Sequence, residues 1–216
     1  LRSRRLRARS HAFLLDVDAH TRVRVTLNEQ ERPAAWLVLV HGLAGSAHSP
    51  YMLGTARKAW DAGLSVARLD LRNAAGTEAL TPTLYHGGLV DDLAALVAHL
   101  GHERPGQALH LCGFSLGGNI ALKLASSWGS APPAWVRSVC AVAPALDLTG
   151  CSRRLDGDPT LAFVRDDFLR RLGGLVRLKA RHFPEAYPVA DLEGLRTLFA
   201  FDDRWIARGF GFDGAA

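Results

Sequence analysis

The sequence predicts an α/β protein, a doubly wound and mostly parallel sheet with a helical segment set over it. Three observations carry this. Apolar runs of strand length alternate with amphipathic helical stretches over most of the first two thirds of the chain. One run, Ala35-Trp36-Leu37-Val38-Leu39-Val40, is apolar throughout, as a parallel strand buried on both faces must be. Another, Ala108-Leu109-His110-Leu111-Cys112, passes through Gly113-Phe114-Ser115-Leu116-Gly117-Gly118-Asn119 into a helical pattern that stacks Ile120, Leu124 and Trp128 on one face.

The other elements follow in order. Residues 12–17 and 21–27 read as two antiparallel strands joined at Asp18-Ala19-His20, with Val23, Val25 and Leu27 alternating with Arg22, Arg24 and Thr26. Residues 51–62 carry Leu53, Ala56 and Trp60 at helical spacing and stop at Gly63. A strand at 65–69 ends in Asp70-Leu71-Arg72-Asn73, and a Gly, Thr and Pro-rich loop leads to Tyr85-His86-Gly87-Gly88. The next helix has Leu89, Leu93, Leu96, Val97 and Leu100 on one side, with Asp91 and Asp92 in its first turn to suit the helix dipole. Residues 135–142 form the last strand of the series. Beyond Asp147 the pattern is helical only, with one apolar stripe of Leu161, Val164, Phe168 and Leu172 and another of Leu192, Leu195, Leu198 and Phe199. Arg170, Arg171, Arg177, Lys179 and Arg181 read as a basic surface between them. The expected organisation is a basic arm at 1–11, an α/β core at 12–144 and a helical lid at 145–216.

Composition limits the functional classes. With 216 residues, 48% of them hydrophobic, the chain can bury one large core. It contains no apolar run near the ~20 residues that span a bilayer, and its start lacks the apolar stretch of a signal peptide. Cys112, Cys140 and Cys151 are odd in number and widely spaced, which suggests neither a disulfide framework nor a zinc site. Cys112 and Cys140 fall in apparent core strands. A cytoplasmic location is expected. Much of the net charge of +5 comes from Arg2, Arg4, Arg5, Arg7 and Arg9. Without interleaved aromatics these read as a solvated arm or linker in preference to a nucleic-acid or anionic-membrane tether. There is no phosphate loop or dinucleotide fingerprint, so no cofactor and no metal is expected. Oligomeric state is not specified.

The chemistry is concentrated at Ser115. Strand, Gly-x-Ser-x-Gly and helix make the nucleophile-elbow arrangement, in which a sharp turn lifts the serine hydroxyl above the sheet. Gly113 and Gly117 remove side chains that would collide there, and Gly118 lets the helix approach its strand. The oxyanion donors are the backbone N–H of Leu116 and, from the loop His41-Gly42-Leu43-Ala44-Gly45-Ser46, that of Leu43 in preference to Ala44. His41 precedes the serine, the wrong order for a base in this architecture, and reads as a loop-shaping residue bonded to backbone. After Ser115 the chain has one histidine, His182, in the helical segment. Asp147 follows a core strand and by chain order could orient His182 in a triad with Ser115, though turn or cap duty suits it better. Tyr85-His86 could face substrate, though helix-entry packing suits it better. Arg72-Asn73 lies at a strand's C-terminal end, where sites gather in open α/β sheets, although turn chemistry explains it equally well. The expected acid and base are therefore not found in this chain.

Taken together, these motifs resemble the YheT-like branch of the α/β-hydrolases. The matching pieces are the 41–46 loop with His48-Ser49-Pro50-Tyr51, Leu71-Arg72-Asn73, and Pro82-Thr83-Leu84-Tyr85-His86-Gly87-Gly88. They continue through Asp92-Leu93, the Ser115 motif, Ala143-Pro144, Asp147-Leu148 and Phe201-Asp202-Asp203. The resemblance implies the α/β-hydrolase fold and a metal-free serine hydrolase of carboxylic esters, with short acyl or lipid chains, acting on a small-molecule acyl ester. It also implies further sequence at both ends, including final core strands with the catalytic Asp and His beyond Ala216. The expectation is thus a fragment, inactive alone. Acyl transfer to an alcohol and a non-catalytic, ligand-binding scaffold are the alternatives.

Overall fold

The structure is a computed structural model that describes residues 10–215. Most of the expected basic arm, with its five arginines, lies outside the described residues; Ser10 and His11 open the first strand.

Six strands form one sheet: β1 (Ser10–Asp18), β2 (Thr21–Asn28), β3 (Trp36–Val40), β4 (Ser65–Asp70), β5 (Leu109–Phe114) and β6 (Val136–Val142). Their spatial order is β1-β2-β4-β3-β5-β6. The β1–β2 and β2–β4 pairs are antiparallel, while β3 runs parallel to both β4 and β5, and β5 to β6. This is the mostly parallel sheet that the apolar run at 35–40 predicts.

Helices α1 (Pro50–Asp61), α2 (Asp91–Glu103) and α3 (Leu116–Ser127) cover the two faces. Strand alternation divides the core between them. Val38 and Val40 join Val25, Leu69 and Leu111 beneath Leu93, Leu96 and Val97 of α2 and Ile120 and Leu124 of α3. Leu39, Val66 and Cys112 face the other way, onto Met52, Ala56 and Ala59 of α1. Burying a side chain of this kind contributes about 1.5–3 kcal/mol, so the central strands are where stability is concentrated.

Residues 148–210 add α4 (Leu148–Gly157), α5 (Ala162–Ala180), α6 (Leu198–Phe201) and α7 (Arg208–Phe210), with a π-helical stretch at Asp202–Ala207. They contain a second core of Leu172, Val176, Tyr187, Phe201, Trp205 and Ile206, joined to the sheet domain through Leu84 and Leu43. Two expectations are corrected here. Cys140 is exposed, because β6 is the outer strand of the sheet and its alternate residues lack cover. Lys179 is wholly buried and does not belong to the basic surface. Its ammonium donates to the carbonyls of Glu78 and Thr81 and lies 4.2 Å from the ring centre of Phe183. Along with Tyr187, whose hydroxyl donates to Pro82 O at 2.6 Å, it ties α5 to the 74–84 loop. Burial lowers its pKa to about 8.

Candidate functional site

Strand order reverses at β3, since the chain passes to β4 on one side and then crosses to β5 on the other. The loops leaving β3 and β5 diverge, and a crevice opens at the carboxyl ends of these strands. The 41–46 loop and the Ser115 turn occupy it. Four of the non-glycine residues with positive φ lie just past the parallel strands: Ala44 (54°), Asn73 (64°), Ser115 (50°) and Ala143 (47°). Backbone strain of this kind gathers where loops must turn sharply, and it persists only when neighbours hold it.

Ser115 has φ 50° and ψ −118°. Its N–H donates to Val142 O at 2.9 Å, and its carbonyl accepts from Asn119 N–H at 3.1 Å, so β6 and α3 hold the turn from both sides. The flanking glycines are required. A Cβ on Gly113 would stand 2.1 Å from Gly117 O, and one on Gly117 would stand 2.4 Å from His41 O. Gly118 is also close, with its would-be Cβ 3.1 Å from Gly113 O. The hydroxyl of Ser115 stands exposed at the top of the sheet.

The loop facing it is held from below by His41, which is fully buried. Leu71 N–H donates to His41 Nε2 at 3.1 Å, so Nδ1 carries the proton and donates to Gly42 O at 2.8 Å. Burial holds its pKa below the ordinary value, so the ring is neutral. This is the loop-shaping part expected of it. Gly42 N–H donates to Tyr51 Oη at 3.1 Å and Ala44 N–H to Tyr85 Oη at 2.8 Å. Leu43 N–H and Leu116 N–H have no acceptor among the described residues. Between the expected donors Leu43 and Ala44, only Leu43 is free.

Leu43 and Leu116 line a cavity of about 690 Å³ between the crevice and the helical segment. Leu148, Leu172, Leu198, Phe199 and Ile206 make its apolar wall. His86, Lys123 and Asp202 are among its polar groups, with Thr149, Ser152 and Asp213. Sequence reasoning prefers helix entry to a substrate-facing place for His86 and does not single out Lys123 or Asp202 as cavity residues. His86, read as a helix-entry residue, packs its ring on Phe210 at 4.5 Å and Phe212 at 5.5 Å, and burial lowers its pKa. Asp202 is pushed up to about 6, first by burial and then by Asp156. The signal for Asp202 was its place in the matching Phe201-Asp202-Asp203 stretch; nothing local marked Lys123.

The remaining candidates are structural. Asp147 caps α4 by accepting from Gly150 N–H at 2.8 Å. His182 lies exposed just past α5, its ring against Phe183, which borders a different cavity beside Asp18 and Thr21. Neither is brought to Ser115 by any contact described. Arg72 is committed to Asp92 at 2.7 Å and to Thr83, and Asn73 donates to Thr83 O at 2.7 Å. Cys112 is buried, and burial with the adjoining Cys140 pushes its thiol up to about 11. Among the described residues no helix is long and apolar enough to cross a membrane, and no cluster of three or more His, Cys, Asp or Glu could hold a metal.

Comparison with known proteins shows the family. The profile of a family described as alpha/beta hydrolase fold matches residues 35–185. YheT of Escherichia coli (strain K12), named as a candidate esterase, is 28% identical over 178 residues, which is 82% of this chain and 52% of YheT. Phospholipase ABHD3 of Mus musculus is 24% identical over 176 residues, 82% of this chain and 42% of its own length. The chain thus spans about half the length of the curated relatives it matches. Among solved structures, the esterase Pf2001 of Pyrococcus furiosus superposes with a TM-score of 0.57 at 18% identity, covering 77% of this chain and 67% of that one. At that identity the likeness is one of fold.

Proposed function

The chain belongs to the alpha/beta hydrolase fold family, and from that premise we propose that it is a serine hydrolase of carboxylic esters, with short acyl or lipid chains, working through an acyl-enzyme at Ser115. One observation carries the reading. Ser115 sits at a strained, positive-φ turn between two glycines that admit no Cβ, with the unpaired amides of Leu43 and Leu116 beside it. In this reading the turn is a nucleophile elbow. Ser115 Oγ attacks the ester carbonyl carbon and gives its proton to a base that no described residue brings to it, and the carbonyl oxygen becomes an anion held by the Leu43 and Leu116 N–H groups. Collapse breaks the bond to the alcohol, which leaves with that proton. Water then attacks the acyl-enzyme and releases the carboxylic acid. The apolar wall of Leu148, Leu172, Leu198, Phe199 and Ile206 would receive the acyl chain, with the helical segment as lid. The names of the E. coli and mouse relatives, an esterase and a phospholipase, support an ester substrate.

The test is hydrolysis of p-nitrophenyl butyrate and octanoate by the chain and by Ser115→Ala. Turnover that disappears in the variant supports the reading, and equal turnover by both contradicts it. Adding a competing alcohol separates hydrolysis from acyl transfer by the product formed. A second reading, a hydrolase-like protein that binds a ligand in the same cavity without turning it over, is favoured by a specific observation. No histidine among the described residues is hydrogen-bonded to Ser115 Oγ; the ring bonds of His41, His86, His102 and His110 go elsewhere. A chain that binds such esters without cleaving them would support that reading.

A further inference from the structure

We propose that Tyr51 and Tyr85 are positioning residues for the oxyanion site: their hydroxyls occupy the amides on either side of Leu43, so that of these three loop amides only that of Leu43 is left to join Leu116 in binding an anionic oxygen. The proposal rests on the reading of Ser115 as nucleophile. It starts from three consecutive N–H groups on the loop that faces the serine. The first, on Gly42, donates to Tyr51 Oη at 3.1 Å, and the third, on Ala44, donates to Tyr85 Oη at 2.8 Å. The second, on Leu43, has no acceptor among the described residues and belongs to a cavity-lining residue.

The two tyrosines reach the loop from opposite faces of the sheet. Tyr51 lies in the first turn of α1, with its ring 4.9 Å from that of Phe114. Tyr85 belongs to the core on the α2 side and meets the His41 ring edge-on at 6.2 Å. Peptide planarity makes the clamp effective. In a trans peptide the C=O and the following N–H point in opposite directions. Gly42 O accepts from His41 Nδ1 at 2.8 Å and from Gly45 N–H at 3.0 Å, and so the Leu43 N–H is aimed away from both. The planes before and after it are fixed by Tyr51 and Tyr85.

Tyr85 also opposes a strain. Ala44 sits at φ 54°, where an alanine gains by returning to negative φ. That return would rotate the Leu43–Ala44 peptide and withdraw the Ala44 N–H from Tyr85. The tyrosine hydroxyl holds the plane in place, and a phenylalanine of the same shape cannot.

The experiment uses Tyr51→Phe, Tyr85→Phe and the unaltered chain, with amide hydrogen exchange at residues 42–44 and steady-state kinetics on p-nitrophenyl butyrate. Tyr51 is 40% exposed, so its variant leaves the core intact. In Tyr85→Phe the Ala44 amide should exchange about tenfold faster, and in Tyr51→Phe the Gly42 amide should. Each variant should lose kcat about tenfold with KM changed less than twofold, a smaller loss than the ~10²–10³ that follows deletion of an oxyanion donor itself. Unchanged exchange at both amides, or unchanged kcat in both variants, overturns the proposal. A rise in KM alone would also overturn it, by assigning the tyrosines to substrate binding. Failure of the nucleophile reading looks different: the unaltered chain gives no turnover, and the oxyanion role falls with it. The exchange rates would then still report whether the hydroxyls hold the amides.

Discussion

Gly117 lies against His41 so closely that a single added carbon would stand 2.4 Å from the His41 carbonyl oxygen. The contact joins the turn after β5 to the loop after β3, bringing Ser115 and Leu43 to the same crevice. Backbone lies on both sides of it, and neither side can give way without disturbing a parallel strand.

Gly117→Ala should therefore destabilise the fold by about 3 kcal/mol or more, at the upper end for an overpacked site. Gly54→Ala serves as control: its would-be Cβ meets nothing within 4 Å and it lies within α1 at ordinary φ, so no loss is expected. Urea denaturation of both variants checks this. Comparable losses would mean that the close approach has little energetic weight.

Ser115 carries the opposite prediction. A glycine tolerates φ 50° and ψ −118° where serine is strained. Ser115→Gly should gain about 1 kcal/mol in stability while abolishing the proposed turnover. Ser115→Ala, strained as the serine is, should lose turnover without the gain. Thermal melts of the two variants separate strain from side-chain chemistry.

Much of this was legible in the sequence because it is local. Glycine spacing around Ser115 reflects collisions within a few residues, and the apolar run at 35–40 can only be a strand covered on both faces. Asp147 announced itself as a cap by its place before a helix. Where reading failed, the cause was distant in the chain. Lys179 looks like one more cation on a basic helix until residues 78 and 81 are seen to bring two carbonyls to it. His86 gained its cavity position from Phe210 and Phe212, more than a hundred residues on. Cys140 lies in a core-like strand, but no strand pairs with the outer side of β6 among the described residues.

The Arg72–Asp92 pair lies below the crevice and is almost without solvent contact. Asp92 accepts from the Arg72 backbone N–H at 2.9 Å as well as from its guanidinium. Asp92→Asn removes the charge and leaves the arginine buried, which should destabilise the protein by about 3 kcal/mol or more. Replacing Arg72 and Asp92 together by apolar residues should cost less than Asp92→Asn alone. A larger loss in the double variant would contradict this.

Asp202 gives a pH-dependent prediction with a definite sign. Its carboxyl moves from an ordinary 3.8 to about 6 on folding, chiefly through burial and then through Asp156. The folded state thus holds this proton more tightly, and the associated stability is present below pH 3.8 and lost as pH rises through 6. Asp202→Asn should be more stable than the unaltered chain at pH 7 by about 1 kcal/mol, after allowance for solvent screening. The difference should close as pH falls toward 4. Neutral His41 works in the other direction, losing stability below pH 6.5, but it is common to both proteins and cancels in the difference. Melting temperatures across this range decide the matter, and a gap that stays constant with pH would exclude Asp202 as its source.

The most direct measurement of the central claim is reaction with a fluorophosphonate, beside Ser115→Ala, with circular dichroism to verify folding and mass spectrometry of the labelled peptide. The account predicts a single adduct on Ser115, absent from the variant. A folded chain labelled equally after Ser115→Ala would contradict it, whereas one that stays unlabelled would mean that no base reaches Ser115 in this chain and would favour the ligand-binding reading.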